Sequence, residues 1–200
     1  MPPETKGQRT RSRIVEQAAA VFNQRGYEGT SMQDVMDATG LKKGGLYRHF
    51  SSKEQLAGEA FRYAWTEAMA GRTRDLDAIP GALPRLRHMI ERFVTMRGPV
   101  PGGCPLMNMA IEADDGNPAL RALAHEALRE WQGRIVAIVR DGIAAKEIAR
   151  SVNPRRLANR IIATLEGALM ISRLERSREA LADAQDNLSA ELDAIATPRQ

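Results

Sequence analysis

The sequence predicts an all-α protein in which a small N-terminal domain of three helices, residues 1–52, precedes a larger helical domain, residues 53–200. Residues that favour helices, such as Ala, Leu, Met, Arg and Glu, are abundant, whereas aromatic residues make up only 4% of the chain. Apolar residues recur at intervals of three and four, and the alternation typical of strands is missing. With 200 residues, of which 43% are hydrophobic, the chain can bury a substantial core.

Three short helices are predicted in the N-terminal domain. Gly26 occupies the position at which a glycine commonly ends a helix. Thr30 and Ser31 can cap the second helix, and Gln33 and Asp34 follow them at the reciprocal capping-box spacing. The predicted elements are a mobile basic arm over residues 1–8, a helix over 10–25, a second helix that ends at Thr39, and a third over 42–49.

Clusters of proline and glycine divide the larger domain into six predicted helices. The strongest breaks are residues 79–84 and 97–103. The Asn-Pro pairs at Asn117 and Asn153 begin two of the long helices, where proline is well tolerated. The predicted helices cover residues 53–74, 84–96, 105–115, 118–145, 154–178 and 181–195.

Positive charge is concentrated at the N-terminal end. Nine Lys and Arg residues against six Asp and Glu residues precede position 56, which accounts for +3 of the chain's net charge of +4. A basic end on a nearly neutral body suggests an anionic partner, although solvated basic faces are also common.

The single cysteine, Cys104, excludes an internal disulfide and fits a reducing compartment. The N-terminus lacks the apolar core of a signal peptide, and no run approaches the roughly 18 apolar residues of a membrane span. We therefore expect a cytoplasmic protein.

Residues 26–50 have the organisation of a helix-turn-helix. A tight glycine-containing turn lets the second helix of such a pair lie across the first. The second helix can then enter a major groove of DNA while the first spans the phosphate backbone. Apolar residues that would lock the pair together are Val35, Leu41, Leu46 and Phe50. Backbone N–H groups at the helix start beside Thr30 would offer a phosphate site.

At fixed spacings, this segment resembles the TetR-family signature. It carries G-x-x-x-T from Gly26, A-x-G-L from Ala38, K-G-x-L-Y-x-H-F from Lys43 and S-K-E-x-L from Ser52. The resemblance implies a DNA-binding domain followed by a ligand-binding and dimerisation domain. It also implies that the protein binds a near-palindromic operator as a homodimer. The bound homodimer would repress transcription until an inducer binds to it.

Carried over by position, the resemblance assigns two groups of DNA-binding residues. The phosphate group is Thr30, Lys43, Tyr47, His49 and Lys53. The group facing base edges is Lys42, Gly44, Gly45 and Arg48. Gly45 departs from the family, which often has Thr, Ser or Ala there, and each glycine weakens the helix by about 1 kcal/mol relative to Ala. Leu46, Phe50 and Tyr27 are expected in the core. We expect at least one of Arg9, Arg11 and Arg13 to contact DNA, and the alternative is that all three are simply solvated.

A ligand pocket in the larger domain follows from the same resemblance. The residues predicted to bind a small-molecule inducer are Trp65, Phe93, Cys104, Met107, Trp131 and Leu165. Methionines make an adaptable lining, although most of these apolar residues would also suit an ordinary core. Glu112 and Glu166 would favour a cationic or hydrogen-bonding ligand if they point inward.

Cys104 lies in a Gly-Cys segment that resembles a subset of TetR regulators, such as the N-ethylmaleimide-responsive repressor, in which a cysteine senses electrophiles. A helix N-terminus favours the thiolate that such sensing needs, but Pro105 removes one N–H donor. A buried structural thiol is the alternative.

The last two helices are predicted to form the dimer interface. Their apolar stripes, which must in part face the protein's own core, are Leu157, Ile161, Leu165, Ala168 and Leu169, and Leu181, Leu188, Leu192 and Ile195. Two such helices from each subunit can form a four-helix bundle.

An enzyme, or a helical small-molecule-binding protein without DNA binding, is the alternative function. The two enzyme motifs that the chain resembles, a phosphate-binding loop and H-E-x-x-H, are both incomplete. Cys104-Pro105 stands where a phosphate-binding loop needs Lys-Ser/Thr, and Arg129 replaces the second histidine of H-E-x-x-H. With three histidines and one cysteine, we expect no metal, no cofactor and no catalytic residues.

Overall fold

The structure is a computed structural model that describes residues 5–197. Within that range the regular secondary structure consists of nine α-helices and one 3-10 turn at Leu76–Ala78. The helices are α1 (Lys6–Arg25), α2 (Met32–Thr39), α3 (Lys43–Tyr47), α4 (Lys53–Arg72), α5 (Ala82–Thr95), α6 (Pro105–Ala113), α7 (Pro118–Ala144), α8 (Pro154–Glu175) and α9 (Glu179–Ala194). The described residues contain a single isolated bridge, between Ile148 and Ala196, and no strand. The predicted all-α class is confirmed.

The first helix begins earlier than predicted. Thr5 and Gln8 form a capping box, in which the Thr5 hydroxyl accepts from the Gln8 N–H at 3.2 Å and Gln8 Oε1 accepts from the Thr5 N–H at 2.8 Å. The cap satisfies two N–H groups that the helix start would otherwise expose, so α1 begins at Lys6. The predicted arm is therefore wrong over residues 6–8, and residues 1–4 lie outside the described range.

Packing groups the residues into two compact units. Unit 1 contains the residues up to Ala68 together with Gly98–Ala127, and unit 2 contains Met69–Arg97 together with the residues from Leu128 onward. The helices α4 and α7 contribute residues to both units. The predicted boundary after residue 52 separates α3 from α4 along the chain, whereas packing places the first part of α4 with α1–α3.

Unit 1 is built around apolar side chains of its first four helices. Ile14, Val35, Leu46, Phe50 and Leu56 are each fully buried. The Arg11 guanidinium lies 4.6 Å from the centroid of the Phe50 ring and forms a bidentate ion pair with the Glu59 carboxylate. Leu46 and Phe50 are therefore core residues, as predicted.

In unit 2, α8 and α9 pack on each other through the stripes seen in the sequence. Leu157, Ile161 and Leu165 of α8 are buried, as are Leu181 and Leu188 of α9. Leu188 is only 3% exposed in a single chain, so its predicted place in a dimer seam is wrong. An apolar stripe has the same helical period whether it faces its own core or a second copy, and the sequence therefore does not distinguish the two.

The outer side of α8 carries a different apolar stripe. Met170, Ile171 and Leu174 are 48%, 41% and 78% exposed. With Ala163 and Gly167 they recur at helical spacing along one face. Among the described helices, none is long and apolar enough to cross a lipid bilayer.

Candidate nucleic-acid interface

A tight turn joins α2 to α3. The Ser31 side chain caps α2, and hydrogen bonds from the Ser31 hydroxyl and N–H lower the pKa of the Asp34 carboxyl. At the other end Gly40 adopts the left-handed conformation with φ +66°, and its N–H donates to the Met36 carbonyl. A glycine reaches this conformation without steric cost, which lets only three residues, 40–42, join α2 to α3. The arrangement is that of the predicted helix-turn-helix.

The second helix of the pair presents a basic surface. Lys42, Lys43, Tyr47 and Arg48 are exposed, and so is the backbone at Gly44. Lys42 is the N-cap residue but makes no side-chain capping bond. The Lys43 ammonium lies 5.9 Å from the centroid of the Tyr47 ring. Three cations therefore lie within seven residues, or about two helical turns.

Three other predicted DNA-binding residues are partly engaged within the protein. Thr30 is 1% exposed, and its hydroxyl donates to the Gly26 carbonyl at 2.6 Å. The Lys53 ammonium donates to the Tyr27 carbonyl at 2.9 Å and lies 4.1 Å from the centroid of the Tyr27 ring. His49 is half-buried. Their phosphate contacts stay predictions.

The arginines of α1 differ in their surroundings. Arg11 is held by Glu59 and Phe50, whereas Arg9 and Arg13 are exposed. The hypothesis of a DNA contact from this helix therefore narrows to Arg9 and Arg13.

Polar side chains of α6 hold the turn between α1 and α2. The Glu112 carboxylate accepts from the N–H groups of Tyr27 at 2.6 Å and Glu28 at 2.7 Å. Asn108 donates to Asn23 on the last turn of α1. The sequence suggests Glu112 only as a ligand contact and does not single out either asparagine. No local pattern identifies such bonds, because their partners lie about 85 residues away.

The predicted ligand-binding residues are distributed over both units. Trp65, Cys104 and Met107 belong to unit 1, and Phe93, Trp131 and Leu165 belong to unit 2. Trp65, Cys104 and Leu165 are buried, and Met107 is half-buried. Cys104 directly precedes α6, with Pro105 at the first helical position.

In unit 2 the structure brings two of these residues together. Phe93 and Trp131 stack with ring centroids 5.7 Å apart and planes inclined by 16°. The buried Arg72 guanidinium lies 4.7 Å from the Phe93 centroid and 4.3 Å from the Trp131 centroid. No sequence pattern singles out Arg72. Residues 5–197 contain no cluster of His, Cys, Asp or Glu that could hold a metal ion.

Two family models match the chain. The model described as "Bacterial regulatory proteins, tetR family" matches residues 14–60, and the model described as "Tetracyclin repressor-like, C-terminal domain" matches residues 82–188. The first match contains the helix-turn-helix, and the second covers more than half of the chain.

Proteins that are similar over most of this chain agree with these matches. A TetR transcriptional regulator from Chloroflexus aurantiacus J-10-FL is 43% identical, with a TM-score of 0.92 over 96% of this chain and 98% of the other. A TetR-family regulator from Cytophaga hutchinsonii is 35% identical, with a TM-score of 0.91 over 98% and 100% of the two chains. The HTH-type transcriptional repressor DhaR of Mycobacterium sp. (strain GP1) is 28% identical over 86% of each chain. The predicted architecture of a helix-turn-helix domain followed by a larger helical domain is confirmed.

The glycines of this interface make a testable pair. A Cβ added at Gly44 would meet open space, so Gly44→Ala is expected to raise the free energy of unfolding by up to about 1 kcal/mol through helix propensity. A Cβ added at Gly40 would also meet open space, but φ there is +66°. Gly40→Ala is therefore the matched control and should lower that free energy by about 1–2 kcal/mol. Urea denaturation measures both, and equal effects would contradict the assigned backbone conformations.

Proposed function

Because the chain belongs to the TetR family of bacterial regulatory proteins and is a ligand-responsive transcriptional regulator, we propose that it is a repressor released from its operator by a small molecule. In this proposal it acts as a homodimer on a near-palindromic operator. The alternative of an enzyme or binding protein without DNA binding is not favoured, since the relatives are transcriptional regulators. The observation that carries the proposal is the exposed basic surface of α3, presented by the buried Leu46 and Phe50.

We place α3 in the major groove. Lys42, Gly44, Gly45 and Arg48 face base edges, and an arginine there can donate two hydrogen bonds to one guanine. The lack of a side chain at Gly44 allows the backbone to approach the bases closely. Lys43 and Tyr47 contact phosphates, and His49 and Lys53 lie at the margin of the contact. Thr30 is 1% exposed, so it would reach a phosphate only if its side chain became exposed. Lys53 retains ammonium protons beyond the one donated to Tyr27.

Loss of a base contact and loss of a phosphate contact should affect operator binding differently. In the homodimer each substitution acts in both half-sites. Arg48→Ala should weaken operator binding by about 1–3 kcal/mol per half-site and relax the preference at one base pair in each half-site. Lys43→Ala should weaken binding to all sequences and reduce the salt slope by about one per subunit, or about two for the dimer. Fluorescence anisotropy over a salt series measures both effects. Arg140→Ala, which removes an exposed cation from α7, is the charge-matched control. Affinity that does not depend on salt, or three variants that behave alike, would contradict the assignment.

The second copy in the proposed homodimer packs on the exposed stripe of α8. Met170, Ile171 and Leu174 form a continuous apolar face, and Gly167 has open space where a Cβ would lie. A two-fold interface needs such a self-complementary face, and a small residue allows two helices to approach closely. In this proposal the exposed stripe of α8 replaces the buried Leu188 as part of the dimer interface.

Leu174→Glu should convert the dimer into a folded monomer, because it places a charge in the proposed interface. The matched control is Ile111→Glu on α6, since Ile111 is 75% exposed and Leu174 is 78% exposed. Light scattering coupled to gel filtration measures the mass, and circular dichroism checks the fold. A mass that stays dimeric for Leu174→Glu, or halves for both variants, would place the interface elsewhere.

We propose that the inducer is a large apolar or aromatic molecule that binds beside Phe93 and Trp131. Leu165 is buried in the same unit and is the third residue that we assign to this site. Displacing Arg72 from the two rings would act directly on α4, whose last residue is Arg72. To lower occupancy of the operator from 99% to 1%, a ligand must favour the released state by about 5.5 kcal/mol. Burying two or three large apolar groups supplies about that much, at roughly 1.5–3 kcal/mol each.

A covalent trigger at Cys104 is the competing proposal. The Cys104 side chain is 2% exposed, so an electrophile reaches it only after local opening. We therefore expect N-ethylmaleimide to leave the wild type and Cys104→Ser equally bound to operator DNA in a gel shift. Release of the wild type alone would establish the cysteine as the sensor and overturn the non-covalent proposal.

A further inference from the structure

The peptide group between α1 and α2 is held from two sides. The Tyr27 N–H and the Glu28 N–H both donate to the Glu112 carboxylate, at 2.6 and 2.7 Å. The Tyr27 carbonyl accepts from the Lys53 ammonium at 2.9 Å. Hydrogen bonds to a charged partner are shorter and stronger than those between neutral groups. The turn that leads into the helix-turn-helix is therefore fixed by one carboxylate from α6 and one ammonium from α4.

A second link lies one turn earlier on α6. The Asn108 amide donates to the Asn23 carbonyl, to Asn23 Oδ1 and to the Gly102 carbonyl, each at 3.0 Å. The Asn23 amide in turn donates to the carbonyls of Pro101 at 2.9 Å and Gly103 at 3.2 Å. Positions 108 and 112 are four residues apart and so lie on the same face of α6. We call Asn23, Asn108, Glu112 and the two amides the latch.

Two glycines make the latch sterically possible. A Cβ on Gly26 would lie 2.5 Å from Glu112 Oε1, and a Cβ on Gly102 would lie 2.3 Å from the Asn23 carbonyl oxygen. Both glycines have positive φ, +79° and +112°. Any other residue at either position would force the latch apart.

We infer that Glu112 is a positioning residue for operator recognition, because through the turn it sets the orientation of α2 and α3 against α6. This inference rests on the proposed function. The acid touches no DNA in it and acts only through the backbone that it holds. The ordered turn lowers the conformational entropy that operator binding would otherwise have to remove.

Electrostatic repulsion alone predicts the opposite change in DNA affinity when the Glu112 carboxylate is removed. A carboxylate in a DNA-binding unit repels phosphates, so its removal should strengthen binding to any DNA. If Glu112 acts as a positioning residue, its removal instead weakens binding to the operator and leaves non-specific binding unimpaired. The two accounts therefore separate on the direction of one measured affinity.

The test compares three variants of the full chain by fluorescence anisotropy, on operator DNA and on a scrambled duplex. Glu112→Gln removes the charge, and Glu112→Asp keeps the charge but shortens its reach. Each should weaken operator binding about fivefold or more, in the range of ordinary coupling energies. Asp115→Asn removes a nearby exposed charge and is the electrostatic control, expected to bind as well as the wild type or better. If the Glu112 variants also bind operator DNA as well as the wild type or better, the inference is overturned.

Hydrogen exchange of the DNA-free protein gives an independent measurement. The amides of Tyr27 and Glu28 should lose about tenfold or more of their protection in Glu112→Gln, equivalent to about 1.4 kcal/mol. The amides in the middle of α4 should keep theirs, which shows that the fold survives. Unchanged protection of Tyr27 and Glu28 would overturn the latch. A wild type that does not distinguish operator from scrambled DNA would instead overturn the proposed function, and the exchange measurement would still test the latch.

Discussion

A helix of five residues with two glycines has too few internal bonds to keep its shape in water, so the interface depends on the burial of Leu46 and Phe50. These side chains anchor the inner side of α3 to the core of unit 1. Arg11 covers the Phe50 ring and is itself held by Glu59 of α4. Because the apolar contact supplies the rigidity, the outer side of α3 is left entirely to recognition.

Helix boundaries that depend on neighbouring residues could be predicted from the sequence. Ser31 caps α2, Gly40 ends it, and Pro154 begins α8 near the expected positions. Each signal acts within a few residues of the boundary that it determines. The start of α1 obeys the same rule, because the Thr5–Gln8 capping box lies within three residues of it, so the predicted start at residue 10 is too late.

Features that depend on distant partners could not be predicted in the same way. The exposed cations of α3 were found because a motif at fixed spacing identifies them, and the core position of Leu188 was missed because its stripe suits either a core or an interface. The Arg72 stack on Phe93 and Trp131 leaves no trace in local periodicity, since its members come from three separate helices.

The hydrogen bonds of Glu112 bear on how hybrid regulators should be built from this chain. A chimaera cut after residue 52 would transplant the amides of Tyr27 and Glu28 without the carboxylate that receives them. The foreign ligand-binding domain would have to supply an acid at the same place. The transferable module is therefore discontinuous in sequence and includes the segment Gly98–Ala127 along with the helix-turn-helix.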